Sequence, residues 1–536
     1  MNADNIHYSN NIIIDKTKCN FCGICVDRCI LDNLRLQLSP CRQACPIGQN
    51  CQAYIQALAR GRLEDAGAAV WQTSPLPGVL GRICAQPCEI ACSRNQVDGQ
   101  PVAIRTLKRY IVDHLVRPEP VMLSAERDSR VAVVGSGPAG LMAAWELRRL
   151  GYRVTIFEKE DRPGGNLTSL IPEFRLPLKV VLDEISWIEG WGVEIRTGIC
   201  LGRDLTPDQL MLEADAVLVA TGASQTRRLE VPGEDASNVY SAPTFLKMVK
   251  NDVSPRLGQS ALIIGGGNSA VDAAQTAKRL GVERVGIICL ERTRDEMTAF
   301  PWAVDEALAE DITVEWGWGP FSFADTNGMA AAVDCHRCLT VWKDGRFEPV
   351  LDAGTQKRFE ADSFIVAIGQ RVDEKMLAQL GLPGSSDAEL RVDILTQATS
   401  TAGLFVAGDA ASGPTSVVQA MASGQRAAVS IDRYLRGEDL RYGRDYPGPY
   451  LIDFPIDLKA TNSTARQESS KLVGKDRLAF KEIDSGFDES RASAESGRCL
   501  SCGVPVGCFN ACWYCLPCEI SCPEDALRVE IPYKIR

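Results

Sequence analysis

The chain has 536 residues, 45% of them hydrophobic, so it is long enough for several domains with ordinary buried cores. Its net charge of -11 argues against nucleic acid as a partner, because a phosphate backbone is bound by clustered lysines and arginines. There is no signal-like amino terminus and no run of eighteen apolar residues, and the 21 cysteines far outnumber the 3 histidines. We therefore expect a cytoplasmic protein without a membrane span, whose clustered thiols bind metal rather than form disulfides.

Residues 1–40 carry the first cysteine run. It has the spacing C-x2-C-x2-C-x3-C that is typical of bacterial ferredoxins, although Ile30 stands where the ferredoxin pattern has proline. The spacing predicts one half of a ferredoxin-like [4Fe-4S] unit. Its candidate ligands are Cys19, Cys22, Cys25 and Cys29.

Residues 41–127 are predicted to be mainly helical, because the stretch YIQALARGRLEDAGAAVWQ has the apolar spacing of amphipathic helices. The segment holds more cysteines than one cluster needs and too few for two clusters ligated by cysteine alone. We expect one [4Fe-4S] cluster here. The candidate ligands are Cys41, Cys45, Cys51, Cys84, Cys88 and Cys92.

A first glycine-rich turn, VAVVGSGPAGL, lies between an apolar strand and a helix, so its backbone can approach a pyrophosphate at the helix N-terminus. Glu158 ends the next strand and is placed to accept from a ribose hydroxyl, and Asp409 is placed to hold a ribityl chain. We predict an FAD domain formed by residues 128–243 and 367–440. Its candidate cofactor-binding residues are Gly135, Ser136, Gly137, Pro138, Ala139, Gly140, Glu158, Lys159, Gly165, Arg175, Thr221, Gly222, Gly408, Asp409, Ser416 and Val417.

A second glycine-rich turn, IIGGGNSAVDAA, predicts a nicotinamide-nucleotide domain inserted at residues 244–366. Glu291 follows the next strand, where a carboxylate accepts from a ribose 2′-hydroxyl and repels a 2′-phosphate, which favours NADH over NADPH. Against this, Arg292 and Arg294 can turn toward a phosphate, and Glu291 can instead be a solvated charge at a strand end. The candidate residues are Gly265, Gly266, Gly267, Asn268, Ser269, Glu291 and Arg292.

Residues 441–495, rich in Ser, Asp, Pro and Lys, are expected to connect domains with little core of their own. In residues 496–536 the ferredoxin spacing recurs. Since the fourth cysteine of each run ligates the other cluster in two-cluster ferredoxins, we favour a split ferredoxin in which the two ends of the chain meet. One cluster then uses Cys19, Cys22, Cys25 and Cys522, and the other uses Cys512, Cys515, Cys518 and Cys29.

Two alternatives concern these terminal cysteines. Each run can bind its own cluster separately, or the two halves can come from different protomers, which predicts a homodimer. A further trio, Cys499, Cys502 and Cys508, offers no fourth ligand within the run, and a structural zinc is the alternative to a cluster there.

The order of motifs is typical of one enzyme family: CRQACP, GRICAQPCEIACSRNQ, VVGSGPAGL, IPEFRLP, IIGGGNSAVDAA, RTRDEM and VAGDA. Residues 41–440 resemble the small subunit of glutamate synthase, and the same module resembles the amino-terminal half of dihydropyrimidine dehydrogenase. The resemblance implies FAD, a nicotinamide nucleotide, [4Fe-4S] clusters and a partner protein.

The same resemblance implies that Cys45, Cys84 and Cys88 are cluster ligands. The chain departs from the family pattern at three points: the cysteine pair before CRQACP is absent, Cys51 is extra, and Glu291 stands where relatives that use NADPH tend to have arginine. The predicted fold class is α/β, with two Rossmann-like domains, a preceding helical iron-sulfur domain and ferredoxin-like termini.

Hydride transfer from nicotinamide to flavin needs orientation and no protein nucleophile or general base, so no catalytic side chain is expected. The sequence predicts an iron-sulfur flavoprotein that passes electrons between NAD(P)H, FAD and about four [4Fe-4S] clusters to a partner subunit or ferredoxin. Bifurcation at the flavin is a variant of this function. The alternatives are the small subunit of an NADPH-dependent glutamate synthase and an electron-wiring subunit whose flavin is not turned over.

Overall fold

The computed structural model describes residues 12–30, 34–122, 124–379, 392–444, 448–456, 458, 462–507, 512 and 514–530. The amino-terminal segment is short and contains little regular structure. It comprises β1 (Ile12–Ile14), α1 (Ile24–Asp27) and β2 (Leu34–Gln37).

A helical segment follows, as the apolar periodicity predicts. Proline at the first position starts three of its helices, a position where the missing N–H costs nothing. Its core contains Tyr54, Val70 and Leu107, all fully buried. The helices are α2 (Pro40–Ala44), α3 (Cys51–Ala59), α4 (Leu63–Trp71), α5 (Pro77–Ile83), α6 (Pro87–Ile90), α7 (Asn95–Asp98) and α8 (Ile104–Asp113).

The chain then enters its first α/β domain, where buried β-branched strands alternate with helices. The elements are β3 (Arg130–Val134), α9 (Pro138–Arg149), β4 (Arg153–Phe157), α10 (Asn166–Ser169), α11 (Leu178–Gly190), β5 (Glu194–Arg196), α12 (Pro207–Glu213), β6 (Ala216–Val219) and β7 (Gln225–Thr226).

A second α/β domain is inserted next. Its elements are β8 (Val239–Ser241), α13 (Ala242–Lys250), β9 (Ser260–Ile264), α14 (Asn268–Arg279), β10 (Arg284–Cys289), α15 (Pro301–Leu308), β11 (Thr313–Trp316), β12 (Trp318–Thr326), β13 (Met329–Lys343), β14 (Arg346–Glu360) and β15 (Ser363–Val366). A parallel sheet of order β11-β10-β9-β15-β8 forms its centre, and β12, β13 and β14 form an antiparallel sheet beside it.

The chain returns to the first α/β domain through β16 (Gln370–Arg371), which pairs antiparallel with β7. The remaining elements of that domain are α16 (Glu374–Gln379), β17 (Leu404–Val406), α17 (Asp409–Ser412) and α18 (Val417–Leu435). Its central sheet is parallel, with the order β17-β6-β3-β4-β5. Both sheets therefore have the doubly wound arrangement that places ligands at the carboxyl ends of the strands.

The carboxyl-terminal part of the chain returns to the amino-terminal part. Its elements are β18 (Tyr450–Leu451), α19 (Glu489–Ser496), β19 (Pro505–Gly507), α20 (Pro517–Ile520) and β20 (Leu527–Val529). β18 and β19 flank β2, and β20 pairs antiparallel with β1. Ile483 and Phe487, within the expected connecting segment, are buried. Across the described ranges, no helix has the length and apolar character needed to cross a membrane.

Candidate functional site: two nucleotide turns and grouped cysteines

The first glycine-rich turn connects β3 to α9 through close backbone contacts. Gly135 has a φ of +104°, and a Cβ there would lie 2.9 Å from the carbonyl carbon of Ala220. A Cβ on Gly140 would collide with the Gly135 carbonyl. A side chain at either position would force the turn open, so the turn holds its shape because both are glycine. Pro138 is the first residue of α9, and the buried Ala139 follows it.

Glu158, at the end of β4, folds over this turn. Its buried carboxylate accepts hydrogen bonds from the Ser136 backbone N–H (2.9 Å) and the Ser136 hydroxyl (2.5 Å). A carboxylate in this place can accept from a ribose hydroxyl, as the sequence predicts. Lys159, the next residue, is exposed. Gly165 lies across the turn, since a Cβ there would lie 3.0 Å from Gly137 Cα.

The other side of the first site is formed by β6, β17 and α18. Thr221 follows β6 and lies beside Gly135, and its buried hydroxyl has no hydrogen-bond partner in the described part of the chain. Asp409 accepts from the Thr415 backbone N–H and hydroxyl, both at 2.9 Å, while burial raises its pKa. An unpaired hydroxyl and a desolvated carboxyl suit a polar ligand such as the ribityl chain of FAD.

The helix α18 begins at this site. Ser416 caps it and forms a capping box with Gln419, and Thr415, just before the cap, is the residue that donates to Asp409. Gly408, before Asp409, has a φ of +68° and donates its N–H to Ser423 on α18 (2.8 Å). Gly222 has a φ of +68° and open space beside its Cα.

The second glycine-rich turn connects β9 to α14. Gly265 has a φ of +143°, and a Cβ there would lie 2.9 Å from the carbonyl carbon of Ala367. Gly267 is the N-cap of α14 and Asn268 its first residue, and the Asn268 side-chain oxygen Oδ1 accepts from the Phe300 backbone N–H at 3.0 Å. Ser269 is exposed at the first turn of the helix. The backbone N–H groups at this helix end can therefore receive a phosphate.

Glu291 lies over the second turn much as Glu158 lies over the first. It is buried, and a Cβ on Gly266 would lie 2.6 Å from its carboxyl carbon. Burial raises its pKa. Arg292 forms an ion pair with Glu296 (2.8 Å) and donates to the Leu339 carbonyl, and Arg294 pairs with Asp305.

Arg175 lies at the junction of the two α/β domains. Its guanidinium pairs with Asp272 on α14 and stands over the ring of Trp302 at 5.0 Å from the ring centroid. This side chain therefore joins the FAD-domain segment to the inserted domain.

In the described ranges, no three His, Cys, Asp or Glu side chains are close enough to hold a single metal ion. The cysteines are therefore grouped here by the cores and cavities that they share. At the chain ends, Ile12 pairs with Val529 and Ile14 with Leu527. The first and last cysteine runs meet there. One cavity is lined by Cys19, Cys22, Cys25 and Cys522.

The second terminal group lies next to the first. Burial, and then the neighbouring thiols of Cys29, Cys512 and Cys515, raise the pKa of Cys518. Cys29 therefore lies with the last cysteine run, although it belongs to the first. Burial also raises the pKa of Cys19 to about 11.

In the helical segment, four cysteines surround the buried side chain of Lys108. Burial disfavours its ammonium form, but the nearby thiolates outweigh that effect and raise its pKa. The four, which we name the Lys108 group, are Cys84, Cys45, Cys51 and Cys88. Cys45 and Cys84 belong to the hydrophobic core of the first α/β domain, and Pro46, next to Cys45, lines a cavity with Thr415 and Gln419 at the start of α18.

A separate cavity gathers the other two cysteines of the helical segment with two from the carboxyl-terminal part. Sequence reasoning named all four residues but did not group them. They are Cys41, Cys92, Cys499 and Cys502, which we name the bridging group. Cys508 lies outside the described residues.

The chain was compared with known proteins. Residues 129–424 match the family model described as pyridine nucleotide-disulphide oxidoreductase, and residues 25–119 match the model described as dihydropyrimidine dehydrogenase domain II, 4Fe-4S cluster. The NADP(+)-dependent formate dehydrogenase subunit beta of Moorella thermoacetica is 36% identical over 505 residues, which cover 87% of this chain and 70% of that protein.

The glutamate synthase [NADPH] small chain of Mycobacterium tuberculosis (strain CDC 1551 / Oshkosh) is 33% identical over 427 residues, which cover 74% of this chain and 86% of the relative. Among solved structures, FprA of Mycobacterium tuberculosis in complex with NADPH has a TM-score of 0.50 and 18% identity, over 58% of this chain and 85% of that chain. The structural match concerns the fold alone.

Proposed function

Because the chain belongs to the pyridine nucleotide-disulphide oxidoreductase family, we propose that it passes electrons from NADH through FAD and [4Fe-4S] clusters to a partner subunit or ferredoxin. One observation carries this proposal: Pro46, which directly follows Cys45, lines one cavity with Thr415 and Gln419 at the start of α18, and Thr415 donates to Asp409. A candidate cluster ligand therefore lies beside the candidate flavin site.

The predicted fold class and family are confirmed, and so is the prediction that the chain is an NAD(P)H-dependent oxidoreductase. The relatives are named as subunits, which supports redox partner subunits for this chain as well. A total of about four clusters, ferredoxin as an acceptor, a homodimer and a cytoplasmic location are parts of our proposal. β1 and β20 pair with each other within one chain, so a single chain suffices to form the terminal unit.

The residues of the two turns fit the two nucleotides. The first turn, with Glu158, Thr221 and Asp409, would hold FAD, and the second turn, with Glu291, would hold NADH. When bound, FAD supplies the exchange between a two-electron donor and one-electron acceptors. The chain contributes binding and orientation, through the helix N-termini at Pro138 and α18 and through the carboxylates over the turns.

The test of this function is anaerobic mixing of the purified protein with NADH. We expect the flavin absorbance to bleach and the EPR signals of reduced [4Fe-4S] clusters to appear afterwards, because the electrons leave the flavin singly. A flavin that stays oxidised at saturating NADH and NADPH would contradict the proposal and support a wiring subunit without nucleotide turnover.

The preference for NADH rests on the position of Glu291. Its carboxyl group covers the turn where the adenosine ribose is expected, and a 2′-phosphate there would meet this buried acidic side chain. Arg292 and Arg294, the two cations that a phosphate would need, are held by Glu296 and Asp305. The geometry thus supports NADH.

Replacing Glu291 by arginine is expected to reverse this preference. The change removes the acceptor for the 2′-hydroxyl and adds a cation for a 2′-phosphate, so we expect kcat/KM for NADH to fall roughly tenfold and that for NADPH to rise. Steady-state kinetics with both nucleotides measure the effect. Glu283→Arg, at an exposed position just before β10, is the matched control. A native enzyme that already prefers NADPH would refute the role of Glu291.

The crossed ligation of the terminal clusters also has a direct test. Because Cys29 lies with Cys518, we expect Cys29→Ser to change the EPR signal of the cluster held by the last cysteine run. Cys522→Ser is expected to change the other terminal signal, since Cys522 lines the cavity of Cys19 and Cys22. Crossed ligation is wrong when Cys29→Ser and Cys19→Ser alter the same signal. Cys200→Ser, outside all the groups, is the control.

A further inference from the structure

We infer that the bridging group, Cys41, Cys92, Cys499 and Cys502, binds a [4Fe-4S] cluster of its own, ligated half by the helical segment and half by the carboxyl-terminal part of the chain. The four thiols line one cavity whose other walls include the apolar side chains of Ile55, Val102 and Ile104. Four converging cysteines in an apolar cavity suit a cluster, which needs thiolate ligands and shelter from water. The inference rests on the proposed function only for the redox role of that cluster.

The position of Cys499 and Cys502 is fixed by the residue that follows them. Gly503 donates its N–H to the Gln52 side-chain carbonyl (2.7 Å), and the Gln52 amide donates back to the Gly503 carbonyl (2.5 Å). A Cβ on Gly503 would lie 2.7 Å from the Ser39 backbone nitrogen and collide with the Gln37 carbonyl. The C-x2-C-G segment is thus docked by backbone contact onto the segment that leads into Cys41.

A buried charge network fixes the residues just before this pair. Arg498 is fully buried, and it donates to Glu495 (2.8 Å) and to the Gln100 carbonyl (2.8 Å). Arg94, also buried, donates to the Arg498 carbonyl at 3.2 Å. Buried charges persist only when they are paired and hydrogen-bonded, so this docking is specific rather than incidental.

The bridging group lies beside the Lys108 group because two short stretches of chain contribute to both. Cys41 lies in α2 and Cys45 directly follows that helix, while Cys88 lies in α6 and Cys92 lies two residues beyond its end. The two cysteines of each pair are four residues apart in the chain. On the other side, Val504 shares a core with Cys19. The bridging group therefore lies between the flavin-side cysteines and the terminal groups, where it would relay electrons.

The double variant Cys499→Ser/Cys502→Ser tests the inference by metal content. We expect it to lose about four iron and four acid-labile sulfide per FAD, together with one EPR signal of the dithionite-reduced protein. Cys41→Ser should remove the same signal. Gly503→Ala keeps every thiol but displaces the segment, and we expect the same loss. Cys200→Ser should lose nothing.

Two results would overturn the inference: native iron and sulfide in these variants, or the loss of one zinc instead. Where the double variant fails to accumulate, alkylation of the native holoprotein decides. The four thiols should be protected together and become reactive together on iron removal, and alkylation of Cys499 or Cys502 in the intact protein contradicts the inference. If NADH does not reduce the flavin of the native protein, the proposed function is refuted. The iron content of the variants still decides whether the bridging group ligates a cluster.

Discussion

Replacement of Gly140 by alanine is expected to abolish FAD binding. The added Cβ would collide with the carbonyl of Gly135, and neither atom can move without opening the turn that we propose faces the pyrophosphate. We expect protein with less than roughly a tenth of the native flavin per chain, which corresponds to a loss of more than about 1.4 kcal/mol in binding free energy at limiting FAD. The ratio of flavin absorbance to protein absorbance after purification measures it.

The matched control is Gly190→Ala. Gly190 ends α11, and a Cβ there would meet only Pro120 Cγ, at 4.0 Å. Alanine is a better helix former than glycine, so this variant should keep its flavin and its stability. Full flavin content in Gly140→Ala would mean that the cofactor does not depend on the first glycine-rich turn, and the site would have to lie elsewhere.

The geometry of the two glycine-rich turns was predictable because its determinants are local. In each, a buried strand, a glycine at positive φ and a helix start follow one another within about ten residues, so the sequence contains the whole geometry. The positions of Glu158 and Glu291 were predictable for the same reason, because each comes just after the strand that follows its turn, β4 for Glu158 and β10 for Glu291. The meeting of the chain ends was also predictable, because ferredoxin spacing implies a partner run.

The bridging group was not predictable from spacing, because it depends on how the carboxyl-terminal part docks. The composition of residues 441–495 suggested little core, yet Ile483, Phe487 and Glu495 are buried. Arg94 and Arg498, which fix the docking, are buried, but nothing in the sequence distinguishes them from arginines at the surface. The number of cysteines was the available signal for this group. The six cysteines of the helical segment, together with Cys499 and Cys502, make eight thiols, which is enough for two clusters with four ligands each.

The second prediction with a large effect concerns Cys84 of the Lys108 group. Cys84→Ser keeps the size of the side chain but removes a thiolate of the Lys108 group that packs in the core of the first α/β domain. Because we propose that NADH binds at the second glycine-rich turn, we expect NADH still to bleach the flavin. Electron transfer onward should slow roughly 100-fold, equivalent to about 2.7 kcal/mol in the barrier.

Stopped-flow absorbance of the flavin and freeze-quench EPR of the clusters separate these two steps in Cys84→Ser. Cys200→Ser, whose thiol is outside the cysteine groups, should match the native protein in both. Native rates of cluster reduction in Cys84→Ser would mean that electrons leave the flavin by another route, and the packing of Cys45 and Cys84 against the FAD domain would then be structural only. Loss of flavin bleaching would instead place Cys84 in the support of the flavin site.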